Sequence, residues 1–417
     1  MERLCLAPSP SSLLLTTRHN NQKKNLRHQP CIITALFTNP AEEISLKPST
    51  PLNSFEKAPH KPFHQTQPLK KVSAESLKYE SGFLGAVPDK SGGDNGREGN
   101  NNIHDAMRYL TNILMSKVYD VSIESPLDYA PKLSEKLHAN LWLKREDLQP
   151  VFSFKIRGAY NMMANLSKQQ LARGVICSSA GNHAQGVAVS AQKLGCSAVI
   201  VMPLTTPKIK RESYDEAEAY AQQRAKDEGL IFVHPFDHPD VIAGQGTIGM
   251  EIMRQIQGPL HAIFVPVGGG GLIAGIAAYV KRVHPKVKII GVEAYDANAM
   301  ALSIHHGKRI MLERAGGFHR WHSIKKVGEE TFRLCRELID GFVLVDHDAI
   351  CASIKDMFEE NRSILEPAGA VAIAGAETYC KYYGLKGENV VAITSGANMN
   401  FDRLGLVSQL AVGRRCE

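Results

Sequence analysis

Helical and strand-like patterns of apolar residues alternate along the chain from about residue 104. Residues 104–114 and 272–283 place apolar side chains at helical spacing. Strand-like runs occur at 141–147, 175–178, 197–202, 262–267, 288–293 and 389–394. Strands that alternate with helices indicate a parallel sheet covered by helices on both faces. The pattern therefore predicts an α/β fold.

Local signals predict three further helices. Ser125-Pro126-Leu127 combines a capping residue with a proline, which favours a helix that begins there. Residues 159–166 have a helical pattern, and another helix is predicted to begin in the turn Ser179-Ala-Gly-Asn-His183. Because this turn directly follows the run 175–178, we expect it at the carboxyl end of a strand.

The first 102 residues show no such pattern. Residues 1–40 contain seven serines or threonines, five basic residues and one acidic residue, with only a short apolar run. That composition is typical of an organelle transit peptide. Residues 41–102 are rich in proline, serine, lysine and histidine, which predicts a disordered linker. The alternative is a separate N-terminal domain, and residues 103–417 are predicted to form the folded region.

The composition is that of an ordinary globular protein with room for two domains. Of the 417 residues, 43% are hydrophobic and 22% are charged. The formal charge of +7 falls to +3 beyond residue 40, and the basic residues form no stripe with aromatics, so the sequence predicts no nucleic-acid binding. The eight cysteines form no C-x-x-C pair, which is typical of a reducing compartment.

One uncharged stretch, residues 262–280, has the length of a membrane span. Pro266 and the glycines at 268–271 divide it into a strand, a tight loop and a helix. The sequence therefore predicts no membrane association.

A lysine in the segment Ser153-Phe-Lys-Ile-Arg-Gly158 is the first candidate for chemistry. Lys155 lies between an apolar ring and residues that lead to a glycine. Desolvation lowers the pKa of an ammonium group, and a neutral amine can attack an aldehyde to form a Schiff base. The alternative is a surface lysine at the start of a helix.

Three turns follow strand-like runs, as a phosphate-bearing ring cofactor bound at several strand ends would require. They are Ser179-Ala-Gly-Asn-His183, Gly268-Gly-Gly-Gly271 and Ser395-Gly-Ala-Asn398. The free amides of a helix start suit a substrate carboxylate at the first turn and a phosphate at the second. The glycine run matches neither common nucleotide-binding motif. Asn182 could instead be a plain helix cap. Ser395 could instead be an ordinary turn residue.

Together these motifs resemble the fold type II pyridoxal-phosphate enzymes and, among them, the plant-type biosynthetic threonine dehydratases. The resemblance covers residues 104–412. It rests on motifs that occur in the family's order: Glu124-Ser-Pro-Leu127, Lys144-Arg-Glu-Asp147, Val151-Phe-Ser-Phe-Lys-Ile-Arg-Gly-Ala-Tyr160, Ser179-Ala-Gly-Asn-His-Ala-Gln-Gly186, Gly244-Gln-Gly-Thr247, Val267-Gly-Gly-Gly-Gly271, Glu366-Pro-Ala-Gly-Ala370 and Thr394-Ser-Gly-Ala-Asn398. It implies a tryptophan synthase β-like fold with two parallel-sheet α/β domains. The catalytic region would divide into a large domain at about 103–166 and 239–412 and a small domain at about 167–238.

The resemblance also implies roles for single residues. Lys155 would hold pyridoxal 5'-phosphate as a Schiff base and would remove the α-proton of the substrate. The other cofactor-binding residues would be Phe154 beside the lysine, Asn182 at the ring hydroxyl, Gly268, Gly269, Gly270 and Gly271 at the phosphate, and Ser395 at the pyridine nitrogen. The carboxylate of the amino-acid substrate would be bound by the loop residues Ser179, Ala180, Gly181 and His183.

The activity that the resemblance implies is β-elimination of L-threonine to 2-oxobutanoate and ammonia, the first step of isoleucine biosynthesis. It further implies a homo-oligomer, a dimer or a tetramer, in the chloroplast stroma. Serine dehydratase activity is an alternative, whereas a cysteine-synthase-like transferase fits less well because its asparagine loop reads differently. Ala180 and Ala299 stand where related serine racemases carry a second serine and a metal-binding aspartate, so we expect dehydration rather than racemisation, and no metal.

Three departures from the family pattern lead to further expectations. The small domain is shortened near 210–213 by about one helix end and one strand, which is expected to leave strand edges unpaired and apolar faces uncovered. Arg320 and Trp321 replace small residues in the turn 316–324 and are expected to crowd the cofactor. The chain ends at Glu417 without a regulatory domain, so we expect no feedback by isoleucine. A catalytically impaired paralogue that acts as a subunit partner therefore stays open as an alternative.

Overall fold

The computed structural model describes residues 31–35, 69–76, 84–85, 99–202, 213–313 and 324–412. Most of the predicted transit peptide and linker lies outside these ranges. The shortened segment near 210–213 and the turn with Arg320 and Trp321 also lie almost wholly outside them. Among the helices of the described ranges, none has the length and apolar character that crossing a bilayer requires.

The described residues form thirteen strands. These are β1 (Cys31–Ala35), β2 (Lys71–Val72), β3 (Leu84–Gly85), β4 (Leu127–Tyr129), β5 (Asn140–Arg145), β6 (Val175–Ser178), β7 (Ala198–Met202), β8 (Ile231–Phe232), β9 (Leu260–Pro266), β10 (Lys288–Ala294), β11 (Met311–Leu312), β12 (Gly341–Val345) and β13 (Asn389–Thr394). The six strand-like runs of the sequence correspond to β5, β6, β7, β9, β10 and β13. Their predicted bounds are confirmed to within one or two residues.

The same part of the chain forms thirteen α-helices. These are α1 (Gly99–Leu114), α2 (Pro131–Leu137), α3 (Lys155–Ala164), α4 (Lys168–Arg173), α5 (Asn182–Leu194), α6 (Ser213–Glu228), α7 (Pro239–Gln255), α8 (Gly271–Val283), α9 (Ala299–His305), α10 (Glu329–Leu338), α11 (His347–Asn361), α12 (Pro367–Tyr383) and α13 (Leu404–Val412). The predicted helix at Ser125 is wrong, because Leu127 to Tyr129 pair with β5 as the antiparallel strand β4. The helix begins instead at Pro131, which occupies its first turn.

The larger sheet has seven strands in the order β3-β12-β10-β9-β13-β5-β4. Its inner five strands are parallel, and the edge strands β3 and β4 are antiparallel. Side chains of β9 alternate between two cores: Ile263 and Val265 pack with α7, α8 and α10, whereas Ala262 and Phe264 pack with α11 and α12. Helices therefore cover both faces, which confirms the predicted α/β fold.

The smaller sheet has the order β1-β7-β6-β8, and β1 is its one antiparallel strand. One face packs against α3 and α5, and the other face places Val199 and Val201 against Ala217 and Ala221 of α6. The expectation of an unpaired edge and an uncovered face is wrong here. The edge of β7 pairs with β1, a segment that the sequence assigns to the transit peptide.

Part of the predicted linker also joins the fold. Lys71 and Val72 form β2, which pairs with β11, and the side chain of Val72 is buried in the larger core. The division into domains stays a prediction. The carboxyl ends of β6, β9 and β13 lead directly into the three turns that the sequence selects as candidate chemistry.

Candidate active site

Lys155 is the first residue of α3, after Phe154 at the N-cap. Its Nζ donates a hydrogen bond to the Pro235 carbonyl oxygen at 3.0 Å and lies 5.2 Å from the centroid of the Phe154 ring. The residue as a whole is partly buried. Desolvation lowers the pKa of Lys155 to about 8, against an opposing effect of Glu366. A surface lysine at a helix start would show no such shift.

Close helix contacts fix the first turn of α3. A Cβ added at Gly186 of α5 would lie 3.2 Å from the Ile156 backbone. One added at Gly244 of α7 would lie 2.8 Å from the Arg157 carbonyl oxygen. Because glycine has no side chain, the three helices approach each other closely enough to hold Lys155 in place.

A buried ion network lies directly behind this turn. Arg157 donates to Glu146, which follows β5, and to Glu251 of α7. Lys144 of β5 forms an ion pair with Glu251 at 2.6 Å. The four side chains are fully shielded from solvent, and their two positive charges balance two negative charges. The network therefore ties β5, α3 and α7 to one another.

Ser395 lies beside the lysine segment. Its Oγ accepts a hydrogen bond from the Phe154 amide at 3.0 Å, and the amides of Gly396 and Ala397 donate to the Phe152 carbonyl oxygen. The Ser395 hydroxyl itself donates to Ser153 Oγ over a long 3.5 Å, so its hydrogen can turn to a better acceptor nearby. The structure therefore places Ser395 against the segment that carries Lys155.

Asn182 is held by two side chains from the far end of the sequence. Its Nδ2 donates to Glu366 Oε1 at 2.6 Å, and its Oδ1 accepts from Asn398 Nδ2 at 2.6 Å. The N-cap of α5 is Gly181, without a side-chain bond. The prediction of a plain helix cap is therefore wrong for Asn182. Its side-chain amide instead links α5 to Glu366 before α12 and to Asn398 in the loop after β13.

The glycine run forms a tight loop between β9 and α8. Gly270 has a φ of 93°, a conformation that favours glycine, and a Cβ added at Gly269 would overlap the ring of Phe236. Within the described residues, the amides of Gly268, Gly269, Gly270 and Gly271 donate to no protein group. Free amides at the start of a helix favour a phosphate.

Replacing Gly269 by alanine tests this loop. Because the new methyl group would overlap Phe236, we expect the free energy of unfolding to fall by about 1–3 kcal/mol. The affinity for pyridoxal phosphate should fall as the loop shifts. Gly405→Ala is the matched control, since a Cβ there meets nothing within 4 Å. Urea denaturation and cofactor titration measure both effects, and equal stability of the two variants would contradict the packing of the loop.

The predicted carboxylate loop lies at the start of α5. Ser179 Oγ accepts from the Gly181 amide at 3.2 Å, Ala180 is exposed, and a Cβ added at Gly181 would face open space. His183 is buried, and its Nε2 bonds to the Val233 carbonyl oxygen at 3.0 Å. Desolvation, together with the nearby Lys155, lowers the pKa of His183 to about 3. Its ring is therefore neutral and offers no charge to a carboxylate.

The segment 233–237 connects most of the site, although its sequence does not predict this role. The carbonyl oxygens of Val233 and Pro235 accept from the predicted histidine and lysine. Phe236 packs on the glycine loop, and Asp237 accepts from three amides at the start of α10. The only signal in the sequence is a cluster of histidine and aromatic residues after a strand. Glu366 begins the motif Glu366-Pro-Ala-Gly-Ala370, but the sequence alone indicates no role for its carboxylate.

Glu293 is a buried carboxylate near the end of β10. Here its carboxylate accepts from the amides of Met300 and Ala301 at the start of α9. Desolvation raises the pKa of Glu293 to about 8. No three potential metal ligands cluster in the part of the chain that the structure describes. The absence of a metal stays a prediction.

Comparisons with known proteins agree with this geometry. Residues 120–396 match the family model "Pyridoxal-phosphate dependent enzyme". The chain is 68% identical over 365 residues to the biosynthetic, chloroplastic threonine dehydratase of Arabidopsis thaliana, which covers 84% of the chain and 61% of that relative. Threonine dehydratase 1 of Solanum lycopersicum is 64% identical over 402 residues, which is 92% of the chain and 64% of that relative.

A solved structure extends these matches to the fold. The processed form of threonine deaminase isoform 2 from Solanum lycopersicum superimposes with a TM-score of 0.77 at 49% identity, over 85% of the chain and 99% of that structure. The chain thus spans less than two thirds of the curated relatives but nearly all of this processed form. Because the family model covers more than half of the chain as well, the chain belongs to the pyridoxal-phosphate dependent enzymes, as a member of the threonine dehydratase family.

Proposed function

We propose that the protein is a pyridoxal-phosphate dependent threonine dehydratase that converts L-threonine to 2-oxobutanoate and ammonia. The observation that carries this proposal is Lys155, whose pKa burial lowers to about 8. It follows Phe154, whose amide binds Ser395 in the third turn, and it acts electrostatically on His183 in the first. Relatives named for this activity support the proposal over most of the chain. The same match supports a role in amino-acid biosynthesis.

The residues of the site fit the cofactor. Lys155 offers an amine for the cofactor's aldehyde, and the free amides of the glycine loop suit its phosphate. The Ser395 hydroxyl, whose bond to Ser153 Oγ is long at 3.5 Å, can turn to donate to the ring nitrogen. Asn182 has one N–H engaged by Glu366, which leaves its second N–H for the ring hydroxyl. Phe154 packs beside the lysine and shields it from water.

The chain's own residues account for proton removal. When bound, pyridoxal phosphate withdraws electrons from the amino acid and acidifies its α-hydrogen. Lys155 takes this proton on Nζ, because its lowered pKa leaves part of the amine neutral near pH 8. Ser395 is an uncharged partner and does not hold a proton on the ring nitrogen as a carboxylate would. This arrangement favours loss of the β-hydroxyl over racemisation. The substrate loses one water when its β-hydroxyl leaves, and one water adds to it when ammonia is released.

The start of α5 binds the substrate in this proposal. His183 is neutral and its Nε2 is engaged, so its side chain supplies neither charge nor a free Nε2 hydrogen. The carboxylate instead meets backbone amides and the Ser179 hydroxyl at the open side of Gly181. Ala180 adds no second acid on this loop, which supports dehydration.

Location and assembly belong to the same proposal. The relatives from Arabidopsis thaliana and Solanum lycopersicum are named chloroplastic, and the first 40 residues have the composition of a transit peptide. We therefore place the protein in the chloroplast. The homo-oligomer, a dimer or a tetramer, rests on the family resemblance alone.

The proposal is tested by incubating the purified full chain and pyridoxal phosphate with L-threonine or L-serine. We expect 2-oxobutanoate and ammonia in equal amounts from threonine, with a higher kcat/KM than for pyruvate formation from serine. Faster turnover of serine would favour the serine dehydratase alternative. Bound cofactor without turnover of either amino acid would contradict the proposal and favour the inactive paralogue.

A further inference from the structure

Glu366 is a buried carboxylate with an unusual position. It occupies the N-cap of α12, yet its side chain makes no capping bond to that helix. Its backbone amide donates to the Gly396 carbonyl oxygen at 2.8 Å, which fixes it against the loop that carries Ser395. The carboxylate is therefore turned away from its own helix and towards the site, where Asn182 donates to it at 2.6 Å.

A directional chain of hydrogen bonds begins at a backbone carbonyl and ends on this carboxylate. Asn398 Nδ2 donates to the Val151 carbonyl oxygen at 3.0 Å and to Asn182 Oδ1 at 2.6 Å. A carbonyl oxygen can only accept, so the orientation of Asn398 is fixed, and Asn182 must accept from it. Asn182 then donates to Glu366. This series of hydrogen bonds therefore leaves the second N–H of Asn182 as a donor.

The same carboxylate acts on the lysine. Glu366 opposes the fall in the pKa of Lys155, and Lys155 in turn limits the rise in the pKa of Glu366, which desolvation brings to about 7. Two imidazoles also face the lysine, on α5 and in the segment 233–237, and burial lowers the pKa of each to about 3. His183 and His234 are the titratable groups that interact with Lys155 besides Glu366, and His238 and Lys326 in turn act on His234.

We propose that Glu366 is a positioning residue with two targets, which fixes the Asn182 amide as a donor towards the site and whose negative charge stabilises the protonated form of Lys155. This inference deepens the proposed function and rests on it. The two histidines stay neutral in the physiological range, so among these four groups only Glu366 and Lys155 change protonation there. One carboxylate thereby couples the orientation of the site to the protonation of its lysine.

The test follows the reactivity of Lys155 in the cofactor-free full chain as pH is raised. Reductive methylation with formaldehyde and cyanoborohydride modifies the neutral amine, and peptide mass spectrometry measures its extent at Lys155. We expect a midpoint near pH 8 in the wild type. Glu366→Gln removes the negative charge in a side chain of similar shape, so its midpoint should fall by about one unit. An unchanged midpoint would overturn the proposal.

Two further variants separate charge from folding. Glu366→Asp keeps the charge, so its midpoint should stay close to that of the wild type. Glu377→Gln is the matched control on the same helix, because this buried carboxylate pairs with Lys136 and Lys381 away from the site. A shift in this control as large as that in Glu366→Gln would show a general effect on α12 and would overturn the proposal.

Asn398→Ala tests the hydrogen-bond chain alone. We expect its affinity for pyridoxal phosphate to fall about tenfold, since Asn182 loses the partner that fixes its orientation. The midpoint for Lys155 should not move, because no charge is removed. Unchanged affinity for pyridoxal phosphate would refute the role of this hydrogen-bond series. Neither measurement uses turnover, so a chain inactive towards threonine would overturn the proposed function and leave this inference standing.

Discussion

Replacing Lys155 by alanine is expected to abolish covalent attachment of pyridoxal phosphate and to lower kcat for threonine by about 10³-fold or more. The amine both holds the cofactor and takes the α-proton in the proposed function, so both are lost together. The neighbouring residues that shape the site, Ser395 and Asn182, keep their contacts with the backbone and with other side chains. The variant should therefore fold and still bind the cofactor weakly without forming a bond to it.

Lys168→Ala is the matched control for this change. Lys168 is also the first residue of a helix, α4, but it is exposed and has the environment of an ordinary surface lysine. Its loss should leave the cofactor spectrum and kcat unchanged. A Lys155→Ala variant that still shows the visible absorbance of a lysine-bound cofactor would rule out the assignment of this residue.

Replacing Arg157 by methionine is expected to lower the free energy of unfolding by about 3–5 kcal/mol. The change keeps much of the side-chain volume but removes the charge that Glu146 and Glu251 surround. Within the described network, the two buried carboxylates would then keep Lys144 as their one positive charge, and burial already lowers the pKa of Lys144. The first turn of α3 would lose its anchor, so cofactor affinity should fall with stability.

Arg224→Met in α6 is the control for the loss of an arginine. Arg224 pairs with Glu228 across one helical turn, and the carboxylate of that pair is 46% exposed. We expect its loss to change the free energy of unfolding by less than about 1 kcal/mol. Urea denaturation of both variants gives the comparison. If Arg157→Met cost no more than the control, the buried network would not hold the site.

Local pattern explains which elements could be predicted from the sequence. Runs such as Val175–Ser178 and Asn389–Thr394 are buried on both faces, so a continuous apolar run marks their bounds closely. The helix predicted at Ser125 failed because a cap and a proline also suit an edge strand, and pairing with β5 decided the outcome. The antiparallel edges of both sheets likewise depend on distant partners.

The site was predicted where a motif carries its own chemistry, as at Lys155 and in the glycine loop. It was missed where function depends on contacts between distant residues. Glu366 meets Asn182 across 184 positions of the sequence, and nothing near either residue indicates the other. Pro235 contributes only a backbone oxygen, which any residue type could supply. Phe236 shows its role only when Gly269 is seen against it.

The most direct test of a cofactor site built around Lys155 is reduction of the full chain with borohydride in the presence of pyridoxal phosphate. Digestion and mass spectrometry then locate the cofactor on a peptide. We expect a single dominant adduct on the peptide that contains Lys155, formed at cofactor amounts equal to those of the protein. Cofactor spread over exposed lysines, or absent from Lys155 altogether, would contradict the site described here.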